Sequence, residues 1–308
     1  MSLFFSNSGL RSSWGLKSSC DWTANDLDVY RINLVSQNKE EFFGTNDLPD
    51  PAEPSESLAG FMAAETREDA ADKKTSQLLH YLDQAMDPKS GQEASSANFA
   101  AELLKALDYD DENRLVFIRR TIPFFNHGMN SVAQPDVCIV DDGQIQLLLQ
   151  EDTSLMNMKD PEPQVIVGAI AAFALNNRTR ERELNLPLYN SMTIPCLTMA
   201  GTSPIFYKVT VTAALSKAIQ DGSHYGYSNP TRVFRYIPTL PCKNGKGMRS
   251  LPNRLEILRC LEAFKKFVGG VFCFKSASTC ANFLVLFTGR DEQAITQCVP
   301  VYGRKQIM

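Results

Sequence analysis

The chain has no stretch of ~18 or more residues that is both apolar and uncharged, so no membrane-spanning helix is expected. The nearest run, Phe267 to Gly289, is broken by Lys275 and a Ser/Thr-rich patch. The opening residues, MSLFFSNSGLRSSWGLKSSC, have no apolar core behind a basic start and do not read as a signal peptide. Histidines are scarce: His80, His127 and His224 stand far apart, without the HxxxH or HExxH spacing that a zinc site needs. The eight cysteines (Cys20, Cys138, Cys196, Cys242, Cys260, Cys273, Cys280 and Cys298) form no CxxC pair. They read as reduced thiols, several of them core filler, in an intracellular protein of the cytoplasm or nucleus. Ser203 in AGTSPI is not a GxSxG nucleophile, and the basic loop KNGKGMRS lacks the GxxxxGK[ST] phosphate-binding spacing. No internal repeat is present. Zinc hydrolases, thiol enzymes and P-loop nucleotidases therefore have no support.

What remains is an ordinary folded composition: 308 residues, 44% hydrophobic and 21% charged. The net charge of −4 conceals a strong asymmetry. Between Glu40 and Glu112 eighteen Asp/Glu face five Lys/Arg, while between Asn229 and Lys275 ten Lys/Arg face two Asp/Glu. A basic segment over residues 232–275 suits a nucleic acid backbone, and a solvated basic face balanced by the acidic flank explains it equally well.

Three regions follow from patterning. Residues 1–95 lack sustained periodicity and include the Pro/Asp/Glu/Ser-rich stretch DLPDPAEPSESLAG, so they are expected to be poorly ordered or accessory, with an acidic linker. Within them, AAETREDAADKKTSQLLHYLDQAM is a candidate helix with Leu78, Leu79 and Leu82 as its apolar stripe. Residues 96–268 are the expected α/β domain. NFAAELLKALDY has helical spacing, and LVFIRRTIPFF reads as one strand. DVCIV and QIQLLLQ form a hairpin across Asp142-Gly143, and Asp160-Pro161 opens a long helix. TIPCLTMAG and PIFYKVTVT are strands around Gly201, followed by a helix ending on Gly222, the strand TRVFRYIPTL and the helix PNRLEILRCLEAFKKFV. That order suits a mixed central sheet with helices on both faces. Residues 269–308 form an atypical C-terminal tail with no assigned role.

Pro135-Asp136 begins the first hairpin strand and Glu151-Asp152 ends the second, which brings these carboxylates to one sheet edge. Converging carboxylates repel one another unless a cation joins them, and hard oxygen donors suit Mg²⁺ or Mn²⁺. Alternatively, Asp136 caps the strand entry, and Glu151 and Asp152 cap a loop or pair with Arg178 or Arg180.

The series Pro135-Asp136, hairpin, Glu151-x-Thr153 resembles the PD-(D/E)xK nuclease superfamily over roughly Ala97 to Val211. More narrowly, QPDVCIVDDGQIQLLLQED, DPEPQVIVGAIAAFALNNR and IPCLTMAGTSPIFYKVTVT are similar to a family of uncharacterised fungal proteins. The resemblance implies a restriction-endonuclease-like core of helix, three-strand meander, helix and strand. It implies metal ligation by Asp136, Glu151, the Asp152 carbonyl and Glu102, with Gln164 beside the site. The motif lysine that orients or deprotonates water is Thr153 here, leaving Lys208 or Lys159 as substitutes. The expected activity is a metal-dependent nuclease, degenerate if no lysine reaches the site. A non-catalytic interaction or nucleic-acid-binding module on the same scaffold is the alternative.

Overall fold

Asp142-Gly143 turns the chain as a two-residue hairpin. β5 (Val137–Asp141) and β6 (Gln144–Glu151) run antiparallel with Asp141 opposite Gln144. Both turn residues have positive φ, 44° and 76°, which a tight hairpin turn matching strand twist requires. The register jumps beyond this turn: Val140 lies opposite Ile145 but Ile139 lies opposite Leu147, so Gln146 is an extra residue. Asn176 braces this bulge, accepting from the Ile145 N–H at 2.6 Å and donating to the Ile145 carbonyl at 2.9 Å. The structure, a computed structural model, describes residues 21–52, 54–89, 94–151, 160–223, 230–242 and 247–269. Asp152, Thr153, Lys159, His224, Lys243, Lys246 and the tail beyond Gly269 lie outside them.

The hairpin sits inside a seven-stranded sheet. Its other strands are β1 (Ile32–Ser36), β2 (Arg114–Ile118), β7 (Ser191–Ala200), β8 (Ser203–Thr212) and β9 (Thr231–Tyr236). The spatial order is β1-β9-β8-β7-β6-β5-β2. β6 pairs with β7 in parallel and β9 with β1 in parallel; the other neighbours are antiparallel. The sheet is therefore mixed, as the sequence pattern implies.

Strand alternation divides the sheet into two apolar faces. Val137, Ile139, Leu147, Leu149, Leu197 and Phe206 share one core with α2 (Lys39–Phe43), α3 (Glu56–Ala63), α4 (Lys73–Met86), α5 (Ser95–Ala106) and α8 (Leu251–Phe264). Cys138, Val140, Ile145, Leu148, Cys196 and Tyr207 share the other with α1 (Ala24–Val29), α6 (Pro161–Arg182) and α7 (Ala213–Asp221). Asp160 caps α6 by accepting from the Glu162 N–H at 3.0 Å, and Pro161 occupies its first turn, where a missing N–H costs nothing.

Two expectations are corrected. LVFIRRTIPFF is not one strand: β2 stops at Ile118, Arg119 takes a positive φ of 52°, and β3 (Ile122–Asn126) leaves the sheet. β3 pairs with β4 (Met129–Ala133) as a separate hairpin whose buried residues Ile122, Phe124 and Ala133 join the α6 core. Second, the described residues between 21 and 95 are part of the fold. They supply edge strand β1 and α1 to α4, and among them Phe42, Phe43, Leu58, Phe61 and Leu79 are buried in the α5 core. Short helices separated by acidic turns hide these apolar residues from any test for long periodicity. Cys138, Cys196 and Cys260 are buried free thiols, as core filler should be. No helix among the described residues is long and apolar enough to cross a membrane.

Candidate functional site

The hairpin register carries Asp136 and Glu151 to the same end of the sheet. Val137 lies opposite Leu149, so the carboxylate preceding β5 meets the last residues of β6. Asp136 Oδ2 accepts from Gln150 Nε2 at 2.6 Å and from the Glu151 N–H at 2.8 Å. Its Oδ1 lies 4.0 Å from Arg119 Nε, while the Arg119 N–H donates to the Asp136 carbonyl at 2.9 Å. The left-handed backbone of Arg119, costly for a residue with a Cβ, is thus spent at this corner. Glu151 is bonded by the hydroxyl of Ser96, a buried residue in the first turn of α5.

Both carboxyls are pushed above their ordinary values. Burial is the main cause at Asp136, opposed by the Glu151 amide, Arg119 and Gln150. Burial also leads at Glu151, where repulsion from Asp136 adds to it and the Ser96 hydroxyl and Arg119 oppose it. Two neighbouring carboxyls of this kind can share a proton or attract a cation. Arg119 can neutralise or orient them, but a guanidinium does not deprotonate water at neutral pH.

Gln164, in the first turns of α6, borders the same corner. It lines a small void of ≈ 10 Å³ together with Pro135, Gln150 and Gly168, enough for about one water. Asp136 and the end of β6 are therefore brought together, while Gln164 stands beside Pro135 and Gln150 on the α6 face. Glu102 is elsewhere. It pairs with Lys105 at 2.8 Å and opens into a cleft of ≈ 460 Å³ between α4 and α5, lined also by Ser55, Lys74, Tyr81 and Asp108.

Lys208 is also elsewhere. Glu151 lies opposite Met199, Met199 opposite Pro204, and Lys208 comes four residues later along β8. Two strands across and four residues along is roughly 16 Å. Lys208 Nζ donates to the Phe42 carbonyl at 2.9 Å and stands 4.3 Å from the Phe42 ring centroid and 5.1 Å from that of Phe267. Burial, with Lys266 adding to it, lowers its pKa to about 8.

A divalent ion held here would have Asp136 and Glu151 as its protein ligands, and Asp136 Oδ2 already accepts two hydrogen bonds. Asp152 lies outside the described residues, and among those described no group of three or more His, Cys, Asp or Glu is placed to hold a metal. Magnesium ordinarily keeps several waters and takes one or two carboxylates, so Asp136 and Glu151 are of the kind and number that its protein share requires.

The basic segment is largely occupied within the fold. Arg235 bonds Glu162 at 2.6 Å, Arg249 bonds Asp87 at 2.6 Å, and Arg259 bonds Asp50 at 2.6 Å. Arg254 is buried against backbone carbonyls, Lys265 pairs with Glu262 at 2.7 Å, and Lys266 donates to the Phe43 carbonyl. Two of these pairs, Arg249–Asp87 and Arg259–Asp50, join the basic segment to the acidic flank. Arg119, Gln150 and Ser96 were not singled out from sequence; adjacency to Glu151 points to Gln150, but nothing local points to the other two. No protein-family model matches the chain, and no curated protein matches it.

Proposed function

We propose that this domain is a nuclease-like scaffold working as a non-catalytic interaction module. One observation carries the reading: the cation beside the carboxylate pair is Arg119, while Lys208, one of the two lysines named as substitutes for Thr153, is bonded to Phe42 roughly 16 Å away, the other, Lys159, lying outside the described residues. Lys208, held at Phe42, does not supply the water activation that is worth ~10²–10⁴ in rate at such a carboxylate pair. The internal pairing of Arg235, Arg249 and Arg259 also argues against a free phosphate-binding surface over residues 232–275.

The nuclease-like part of the reading is supported by connectivity. α5 precedes β2, β5 and β6; α6 then leads to β7; and the four strands are adjacent, with β5 alone antiparallel. That is the helix, meander, helix, strand order which the Pro135-Asp136 and Glu151 motif implies.

A second reading, a metal-dependent phosphodiesterase, is favoured by the convergence of Asp136 and Glu151 and the raised pKa of each. One experiment separates the two. Full-length chain is titrated with Mn²⁺ and Mg²⁺ by calorimetry and incubated with single- and double-stranded DNA and RNA, beside Asp136→Ala and Glu151→Ala. The scaffold reading expects no cleavage by any of the three proteins. Metal-dependent cleavage by the wild type that both variants abolish would overturn it in favour of the enzyme.

A further inference from the structure

The cleft of ≈ 460 Å³ between α4 and α5 shares no lining residue with the carboxylate corner, and its volume falls in the ~300–1,000 Å³ range of small-molecule sites. One end of it is built from three helix ends. The first turn of α4 contributes Lys74, the end of α5 contributes Ala106 and Asp108, and the first turn of α3 contributes Ser55 and Ser57. Thr75 Oγ1 donates to the Ser57 carbonyl at 3.1 Å and fastens α4 to α3 at this point.

Four charged side chains line the cleft, and two of them cancel: Lys105 and Glu102 pair at 2.8 Å. Lys74 and Asp108 make no ion pair among the described residues. The carboxylate closest to Lys74 in sequence, that of Asp72, accepts from the Thr75 N–H and hydroxyl, and Lys74 is the weakest of the influences on it. A cation and a carboxylate thus stand uncommitted at the same end. The helix dipoles reinforce each of them as a receptor, since the start of α4 favours an anion and the end of α5 a cation.

Neutral groups complete the pattern. Ser55 Oγ accepts from the Leu58 N–H at 3.3 Å and lies 3.2 Å from Ser57 Oγ. One hydroxyl donates to the other, which leaves one hydroxyl proton of the pair for a further acceptor. Leu78 and Tyr81 follow Lys74 by four and seven residues, so they lie on the same face of α4. Leu78 is buried, and Tyr81 and Ala106 are partly buried against the core. An apolar track therefore leads away from the charged end.

We propose that this cleft binds a free amino acid with an apolar side chain. Its carboxylate meets Lys74 and the Ser55–Ser57 hydroxyls, its ammonium meets Asp108, and its side chain runs along Leu78 and Tyr81. An amino acid carries both charges on one carbon, which is why both receptors must stand at one end. A nucleotide or sugar phosphate, with several negative charges and no cation, would set phosphate against Asp108 and leave the apolar track unused. The inference rests on nothing in the carboxylate corner.

The test is calorimetric titration of the full-length chain with L-leucine, N-acetyl-L-leucine and L-leucinamide, beside Lys74→Ala and Asp108→Asn. Melting curves establish that both variants, altered at the surface, remain folded. Leucine is expected to bind saturably. The N-acetyl compound, which lacks the ammonium, and the amide, which lacks the carboxylate, should each bind ~10-fold or more weakly, because a charged group of the site is then left unpaired. Lys74→Ala should weaken leucine by a similar factor and leave leucinamide unchanged. Asp108→Asn should weaken leucine and leave N-acetyl-leucine unchanged. No saturable binding of leucine at tens of millimolar overturns the proposal. Equal binding of all three compounds, or leucine binding indifferent to both variants, overturns it as well.

Discussion

Lys208 is bound to Phe42: its ammonium donates to the Phe42 carbonyl in the last turn of α2, 2.9 Å away, with the Phe42 ring beneath it. Lys266 does the same for the Phe43 carbonyl. Two lysines thus close the C-terminal end of a five-residue helix, where unpaired carbonyls and the helix dipole favour positive charge. The same bond holds Lys208 away from the carboxylate corner, so the packing of the N-terminal segment fixes where this lysine sits.

The state of Lys208 should be visible as a pH dependence of stability. Its folded pKa of about 8 lies below the ordinary lysine value of 10.5, so between these values the unfolded chain holds a proton that the folded chain has released. Stability then rises with pH across this window. Comparing wild type with Lys208→Met isolates the contribution: the melting-temperature difference between them should change in favour of the wild type from pH 7.5 to 10. A difference that stays flat across that range would mean Lys208 keeps an ordinary pKa.

Glu151 makes the opposite kind of prediction. Its folded pKa is raised by burial and by Asp136, so the ionised form at neutral pH is a cost that protonation relieves. The relief is complete below the unfolded carboxylate value and is lost as pH rises through the folded one. Glu151→Gln should therefore raise the melting temperature at pH 7, at ~2–4 °C per kcal/mol for a domain of this size. The gain should fade toward pH 4. A carboxylate kept at a cost to stability is what a binding or catalytic site would contain. A lower melting temperature for Glu151→Gln at pH 7 would show that the hydrogen bond from Ser96 outweighs the repulsion.

The legible parts of this molecule are those whose reason is local. Asp142-Gly143 needs only two positive φ angles, and Asp160-Pro161 needs only a cap and a first turn, so each could be read from two residues. β1 could not be read this way, because its place depends on β9: Ser36 meets Arg235 across 199 residues of sequence. Arg119 is similar, reaching Asp136 only after an unforeseen break between β2 and β3. Of the candidate site, the meeting of Asp136 with Glu151 at the end of β6 was legible as a motif. Glu102 was misplaced because motif position does not fix which side of α5 a side chain leaves.

The pairing of acidic and basic halves should appear as a salt-sensitive, modest stabilisation. Arg259 Nε lies 2.6 Å from Asp50 Oδ1, and both side chains are substantially exposed. Exposed pairs contribute ~0–1 kcal/mol. Arg259→Glu should lower the melting temperature by up to ~4 °C at low salt, less at 1 M salt, and Asp50→Arg in the same chain should recover it. A loss that persists unchanged at high salt would point to packing of the arginine stem rather than to charge.

Arg254 offers the sharpest test that the acidic N-terminal segment belongs to the core. Its guanidinium is fully buried, with Nε donating to the Met248 carbonyl at 2.9 Å and Nη1 to the carbonyls of Phe61 and Ala64 at 2.7 and 2.6 Å. Two of these acceptors lie at the end of α3, so the planar fork of an arginine on α8 closes a helix that lies 193 residues earlier. Burial lowers the pKa of the guanidinium to about 10, with Asp83 and Glu65 opposing, which leaves it charged at neutral pH. Arg254→Met removes the charge but orphans three buried carbonyls at ~1–3 kcal/mol each, so a loss of ~3 kcal/mol or more is expected. Arg254→Lys keeps the charge and can reach some of those carbonyls, so it should fall between wild type and Met. Limited proteolysis should then cut the α3 to α4 region first in Arg254→Met. If both variants melt with the wild type and resist protease equally, α3 is held by its apolar face alone and the arginine is dispensable.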